Sequence, residues 1–166
     1  LLFSCDRSRP TSPEAGERFE SIIPKPVSAT MTGNTFVVAR ETRIVVSESG
    51  KGLEHAANFL AEKLRPSTGF EIPVSSGENS GDGAIVLALG DDRELGPEGY
   101  DLTVDENKVT ITANSPVGVF WGVQTLRQIL PEEVERSNAA ADASWEIATG
   151  TIRDYPQYGW RGSMMD

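Results

Sequence analysis

A hairpin pattern followed directly by a helix pattern occupies residues 100–130, YDLTVDENKVTITANSPVGVFWGVQTLRQIL. In its first half, apolar and polar residues alternate on both sides of Asp105–Lys108, which predicts two antiparallel strands. In its second half, Ser115-Pro116 supplies a cap and a first-turn proline, and the apolar spacing predicts a helix to about Leu130. The segment therefore predicts a helix packed on a sheet.

Two glycines, Gly118 and Gly122, lie one turn apart in this predicted helix. Each lowers helix stability by roughly 1 kcal/mol relative to alanine. A compensating gain would come from close approach of the helix backbone to another element. The two glycines therefore predict that this helix packs closely against its neighbour.

The rest of the chain supplies further strands and one more helix. Thr35–Ala39 and Thr42–Val46 are β-branched runs that predict strands. An alanine-rich apolar stripe predicts a helix over about Lys51–Arg65, and the continuously apolar Ala84–Leu89 predicts a central strand. The expected fold class is α/β (α+β), one domain with a mixed, largely antiparallel sheet and two helices packed on one face.

The composition limits the classes of function. The length of 166 residues suits one ordinary domain. Lys and Arg number 15 against 25 Asp and Glu, a net charge of −10, and such a surface repels nucleic acids and anionic membranes. A single cysteine, Cys5, and a single histidine, His55, exclude a cysteine-based metal site and a two-histidine zinc helix. We expect no metal, no cofactor and no nucleic-acid partner.

Three other features have a structural interpretation that we favour. His55 lies beside the apolar stripe of the first predicted helix, which favours a structural or solvent-facing role over catalysis. Phe120 and Trp121 have apolar neighbours and are expected in the core, although a tryptophan can also stack on sugars. Asp91-Asp92-Arg93-Glu94 predicts a solvated loop, because nothing in the sequence fixes the ligand geometry of a cation site.

A family resemblance begins in the same hairpin and helix. Gly99-Tyr100-Asp101-Leu102 and residues 113–130, with the specific pattern Gly-x-Phe-x-Gly-x-Gln-Thr-Leu, resemble the accessory domain of β-N-acetylhexosaminidases, glycoside hydrolase family 20. Ile23-Pro24-Lys25-Pro26 is similar to the usual opening of that domain. Residues 152–156, IRDYP, and 160–166, WRGSMMD, resemble the linker into the catalytic barrel and the first barrel strand.

The chain is expected to have three parts. Residues 1–21 would be a signal remnant and flexible tether, because residues 6–20 are rich in Ser, Pro and charged residues and show no periodicity. Residues 22–150 would be the accessory α/β domain, and residues 151–166 the linker and first strand of a (β/α)8 barrel. Ser163–Asp166 favours the hexosaminidases over a related glycosidase family that acts on O-linked GlcNAc.

The resemblance also implies a function. The chain would be the N-terminal piece of a bacterial enzyme that removes terminal N-acetylhexosamines by a substrate-assisted retaining mechanism. Its partners would be its own catalytic barrel and N-acetylhexosamine-containing glycans. The acid Glu and the acetamide-orienting Asp would lie beyond Asp166, so no catalytic residue is expected within the chain. Arg161 would bind sugar hydroxyls, because its planar fork of donors suits two neighbouring oxygens better than a lysine.

Alternatives of another class also fit these residues. The chain could be a stand-alone glycan-binding or surface structural module without enzymatic activity. Arg161 would then be an exposed strand-end charge. The segment from Trp145 to Asp166 discriminates between the two, because a self-contained module has no need of the opening of a barrel strand.

The first residues suggest a location. Leu1-Leu2-Phe3-Ser4-Cys5 resembles the end of a bacterial lipoprotein signal, which predicts lipidation of Cys5 and a place in the cell envelope, the periplasm or the outer surface. Membrane contact would then occur only through the lipid; the alternative is an inert exposed cysteine.

We expect Cys5→Ser to move the protein from the membrane fraction to the soluble fraction, and an unchanged distribution would contradict the lipid anchor.

Overall fold

The structure is a computed structural model that describes residues 9–47, 52–77 and 81–159. Cys5 and Arg161 lie outside the described residues, so lipidation and substrate binding at these positions stay predictions. Within the described ranges the helices are α1 (Pro13–Glu20), α2 (Glu54–Thr68) and α3 (Pro116–Ile129), with a 3-10 turn at Glu132–Glu135. The strands are β1 (Ser28–Val37), β2 (Arg43–Val46), β3 (Val74–Ser76), β4 (Ala84–Leu89), β5 (Tyr100–Val104), β6 (Lys108–Ala113) and β7 (Glu146–Asp154).

The strands form one mixed sheet in the order β1-β7-β5-β6-β4-β2-β3. Antiparallel pairing joins β1, β7, β5 and β6, and parallel pairing joins β6, β4, β2 and β3. In the parallel half, α2 carries the chain from β2 back to the start of the parallel strand β3, whereas the β5–β6 connection is a tight hairpin. The predicted α+β class and the predicted hairpin are confirmed.

All three described helices cover the same face of the sheet. α3 lies in the middle, where it contacts α1 and α2 as well as β4, β5 and β6. Residues that alternate along the strands, such as Leu87, Leu102 and Ile111, are fully buried beneath the helices. Thr110 and Thr112, which alternate with Ile111, face the other side and are only partly buried. The domain is therefore a two-layer structure with a single core between helices and sheet.

Helix α1 corrects the prediction of a flexible tether through Glu20. The Ser12 side chain accepts a hydrogen bond from the Ala15 amide, and Pro13 occupies the first turn. Ala15 and Phe19, four residues apart, are buried against the sheet layer. Overall composition concealed this short apolar stripe, because polar residues dominate the segment around it. The sheet layer thus carries three helices where two were predicted.

Strand β7 corrects the predicted domain boundary at residue 150. It runs to Asp154 and pairs with β1 on one side and β5 on the other. Ile147 and Ile152 are buried in the core of the domain. Residues 151–154 therefore belong to the sheet, and the segment that leaves the domain begins at Tyr155.

The predicted close packing of α3 is confirmed at both glycines. A Cβ built at Gly118 would lie 2.4 Å from the carbonyl oxygen of Gly99, and one built at Gly122 would lie 2.5 Å from Cγ2 of Ile111. The Tyr100 ring also lies against Gly122, and burial raises the pKa of its hydroxyl to about 12. The helix backbone thus rests directly on β5 and β6.

We expect Gly118→Ala to destabilise the chain by about 2–3 kcal/mol, because the methyl group meets a backbone carbonyl that cannot move aside without shifting the strand. The matched control is Gly16→Ala in α1, where a new Cβ would meet its nearest atom, in Met31, at 3.8 Å. That change should be neutral or stabilise by up to about 1 kcal/mol. Chemical denaturation of both variants measures the difference, and equal stabilities would contradict the close approach.

Candidate functional site: an exposed apolar face on helix α3

Helix α3 presents two large apolar side chains to solvent. Val119 and Val123 face the sheet and are fully buried, whereas Val117 and Trp121 are 53% and 44% exposed. Two residues along a helix correspond to a rotation of about 200°, so the exposed pair lies on the side opposite the sheet. The prediction that Trp121 lies in the core is wrong, because the side of α3 that carries Val119 and Val123 faces the sheet and Trp121 lies outside it.

The exposed pair borders a shallow groove of about 250 Å³ between the N-terminal parts of α2 and α3. Its lining is formed by Gly52, His55, Ala56, Pro116, Val117, Phe120 and Trp121. We call this surface the α3 face. Its surface is almost entirely apolar, and a surface of this kind is typical of a protein contact rather than of a catalytic cleft.

Aromatic contacts hold the α3 face in shape. The Phe120 ring contacts His55, Phe59 and Trp121, with centroid separations of 6.1, 5.3 and 6.1 Å. The His55 ring is nearly parallel to that of Phe120, at an interplanar angle of 23°. His55 thus has the structural role that we predicted, as a member of an aromatic cluster that joins α2 to α3.

The end of β7 lies at the edge of the sheet where α3 begins. Tyr100 pairs with Asp154 of β7 on one side and with Ala113 of β6 on the other, so the end of β7 lies at the same edge of the sheet as the start of α3. Gly99 packs between them: a Cβ built there would lie 2.8 Å from Cβ of Tyr155. A Cβ built at Gly118 would in turn meet the carbonyl oxygen of Gly99, so Gly99 lies between the end of β7 and the first turn of α3.

An ionic cluster lies at the same edge, on the other face of the sheet. The two terminal nitrogens of Arg153 donate to Asp101, at 2.9 and 3.2 Å, and to Asp92, at 2.7 Å. Glu94 accepts a longer hydrogen bond of 3.4 Å. We call these four residues the Arg153 cluster. Hydrogen bonding from Arg153 holds the pKa of the Asp92 carboxyl below its usual value.

The Arg153 cluster corrects part of the prediction for residues 91–94. Asp92 and Glu94 are not simply solvated, because both are bonded to a strand that lies about sixty residues further along the chain. No local pattern signals such a contact. Within residues 9–47, 52–77 and 81–159, no group of three or more His, Cys, Asp and Glu side chains is arranged to hold a metal ion.

A larger groove of about 790 Å³ lies between α1, the C-terminal half of α3 and the 3-10 turn. One of its acidic residues, Glu135, binds both Arg127 and Lys63. Those contacts hold the pKa of Glu135 below its usual value. Arg18 donates to the carbonyl oxygens of Ile129 and Glu146 and so joins α1 to the end of α3 and to β7. These groups perform structural roles.

The comparisons with known proteins agree with this arrangement of elements. The family described as "Glycosyl hydrolase family 20, domain 2" matches residues 20–155. The chain belongs to glycosyl hydrolase family 20. The match begins within α1 and ends one residue beyond β7, and it therefore covers the whole sheet.

Two relatives by sequence are hexosaminidases. The chain is 37% identical to a beta-hexosaminidase of Porphyromonas gingivalis over 146 residues, which is 88% of the chain and 18% of the relative. It is 31% identical to a beta-N-acetylhexosaminidase of Cellulomonas fimi over 147 residues, or 88% of the chain and 28% of the relative. The chain thus spans less than a third of the length of either protein.

Solved structures give the same relation. The N-acetyl-beta-hexosaminidase of Streptomyces plicatus superposes with a TM-score of 0.78 at 40% identity, and the family 20 beta-N-acetylhexosaminidase of Streptomyces coelicolor with 0.76 at 38%. Each match covers 92% of this chain and 28% of the solved chain.

In the described part of the chain, no helix combines the length and apolarity of a membrane span.

Proposed function

We propose that the chain is the non-catalytic N-terminal domain of a β-N-acetylhexosaminidase and that its α3 face packs against the catalytic barrel. The observations that carry the proposal are the exposed apolar face of α3 and the position of the end of β7 at the edge of the sheet where α3 begins. Membership of family 20 supports the identity of that domain.

Burial of apolar surface provides the driving force for this contact. Val117 and Trp121 leave apolar surface in contact with water. Each square ångström of this surface that the barrel covers lowers the free energy of docking by about 25 cal/mol. The covalent link lowers the entropic cost of docking, because the barrel is held near the face at a high effective concentration. A modest apolar patch is therefore sufficient to fix the orientation of two linked domains.

In this proposal the chemistry takes place in the barrel. The acetamido oxygen of the substrate attacks the anomeric carbon, and an Asp–Glu pair located beyond Asp166 orients the acetamide and protonates the leaving oxygen. Arg161 donates hydrogen bonds to sugar hydroxyls remote from that bond. The accessory domain then contributes the position of the first barrel strand rather than a proton or a nucleophile.

The direct test compares the 166-residue chain with a longer protein that also contains the catalytic barrel, a domain of about 250 residues. We expect the chain alone to leave a chromogenic N-acetylglucosaminide intact and the extended protein to hydrolyse it. Turnover by the chain alone that survives repurification would contradict a non-catalytic role. An extended protein that folds but does not hydrolyse the substrate would contradict the hexosaminidase assignment.

A second function is favoured by one observation, the exposure of Trp121, because a half-exposed tryptophan can stack on a sugar ring. The chain would then be a glycan-binding module in its own right. Calorimetric titration of the chain with N-acetylhexosamine oligomers separates the two functions. Binding that is lost in Trp121→Ser would favour the module, whereas no heat of binding is expected for a docking face.

Trp121→Ser tests the docking contact through the loss of unfolding free energy that it causes in the isolated chain and in the extended protein. In the isolated chain the side chain is already half exposed, and we expect a loss of about 1 kcal/mol or less. In the extended protein the same change should cost about 2 kcal/mol or more, because the interface loses a buried aromatic anchor.

The control for Trp121 is Met31→Ser, on the edge strand β1 and outside the groove, where the side chain is 37% exposed. Met31→Ser should lower the free energy of unfolding by the same amount in the isolated chain and in the extended protein, since the proposed interface does not include β1. Thermal unfolding of the four variants provides the comparison. An equal cost of Trp121→Ser in the two proteins would show that the barrel does not cover the α3 face.

Arg161→Lys tests the proposed substrate contact in the extended protein. Lysine keeps the charge but loses the paired donors, and a hydrogen bond to a charged group is worth about 1.5–3 kcal/mol. We expect kcat/KM to fall by roughly one to two orders of magnitude with normal folding. The isolated chain should show no change in stability, and unchanged kinetics in the extended protein would show that Arg161 does not bind substrate.

A further inference from the structure

A short segment beside α3 presents an isoleucine to solvent. Ile23 is 77% exposed, the largest fraction among the large apolar side chains of the described residues. Its amide donates to Oε1 of Gln128 at 2.9 Å, and Nε2 of Gln128 donates to its carbonyl oxygen at 2.9 Å. One glutamine side chain of α3 therefore binds both backbone groups of Ile23.

Contacts on both sides of Ile23 limit its movement. Ile22 is buried in the core, and the amide of Val27 donates to Oδ1 of Asp154 on β7 at 3.3 Å. The two hydrogen bonds to Gln128 are exposed to water, and such bonds contribute only modestly to net stability. Their main effect is to fix the backbone of Ile23, so that its side chain is held in one place at the surface.

Gln128 lies on the same side of α3 as the exposed residues of the α3 face. Because each residue of a helix adds about 100° and 1.5 Å, Gln128 lies about 10 Å beyond Trp121 and within about 20° of it. Ile23 therefore adds an apolar side chain further along the same side of α3. On the other flank of the α3 face, α2 exposes the polar side chains of Glu54 and Asn58.

The α3 face is too small to hold a second domain by itself. Val117 and Trp121 leave on the order of 200 Å² exposed, whereas a contact between two domains of one chain buries about 300–750 Å² on each side. A footprint of that area is roughly 20–30 Å across, which is wide enough to include both Trp121 and Ile23. The solved hexosaminidases contain the chain length for such a partner, because this chain covers only 28% of each.

Resting on the proposed function, we propose that Ile23 is a second anchor of the docking surface and that the catalytic barrel covers it together with the α3 face. Gln128 is the residue that positions this anchor. A single apolar patch allows two domains to rotate about their contact. Two patches that are separated along one helix fix the rotation as well as the position of the barrel.

Thiol labelling tests whether Ile23 is covered. In a Cys5→Ser background, Ile23→Cys places a thiol at this position, and peptide mass spectrometry follows its reaction with a maleimide. We expect rapid reaction in the 166-residue chain and a reaction slower by roughly ten-fold or more in the extended protein. The variant should fold normally, because the side chain that it replaces lies mostly in water.

Two matched positions calibrate the labelling. Met31→Cys, on β1 and outside the proposed interface, replaces a side chain that is 37% exposed and should react at the same rate in both proteins. Val117→Cys, within the α3 face, replaces one that is 53% exposed and should be protected in the extended protein as Ile23→Cys is.

Gln128→Met tests the positioning role, because it removes both hydrogen bonds to Ile23 and keeps much of the side-chain length. In the isolated chain, exchange of the Ile23 amide should accelerate by roughly ten-fold, while β4 and β6 keep their protection. In the extended protein, the thiol of Ile23→Cys should lose most of its protection and that of Val117→Cys should keep it. Unchanged protection at both positions would show that Gln128 does not position the anchor.

The outcomes separate this inference from the proposed function. Protection of Val117→Cys without protection of Ile23→Cys would overturn the inference and leave docking at the α3 face intact. Rapid reaction of both thiols in an active extended enzyme would overturn the inference and the docking contact together. An extended protein that folds, protects both thiols and lacks hexosaminidase activity would overturn the proposed activity and leave the two-anchor contact standing.

Discussion

The direct contact of the α3 backbone with β5 and β6 is the constraint on which the rest of the domain depends. Gly118 and Gly122 carry no side chains, so the helix rests against a strand-end carbonyl and a core isoleucine. This contact fixes the rotation of α3 about its axis. Val119 and Val123 consequently point into the core, and the opposite side of the helix, with Val117 and Trp121, is left to solvent.

The rotation of α3 has a functional consequence because of the sheet topology. β7 and β6 run in the same direction on either side of β5, so the last residue of β7 and the first turn of α3 lie at one edge. The helix that carries the exposed apolar face therefore begins at the edge where β7 ends. The loop between β4 and β5 is bonded to both, through Asn114 on the helix side and Arg153 on the strand side.

Sequence reasoning was accurate where a signal was strong and local. The hairpin, the cap at Ser115 and the tight packing at the two glycines follow from turn, capping and volume rules that operate within a few residues. It was inaccurate where a short apolar pattern was surrounded by polar residues, and where an element pairs with a strand far away in the sequence. The two buried residues of α1 were outweighed by polar neighbours, and β7 was split because its pairing with β1 spans more than a hundred positions.

The sequence by itself determined the fold class, the family motif and the acidic character of the chain, because these follow from composition and short-range spacing. Only the tertiary structure decided which residues of α3 are covered, since Trp121, predicted to lie in the core, is half-exposed beside the side of the helix that faces the sheet. Only the tertiary structure joined Arg153 to Asp92, Glu94 and Asp101, because these contacts cross fifty-two to sixty-one positions. Local sequence patterns do not indicate contacts between residues so far apart in the chain. The strand order of the folded sheet brings these residues together.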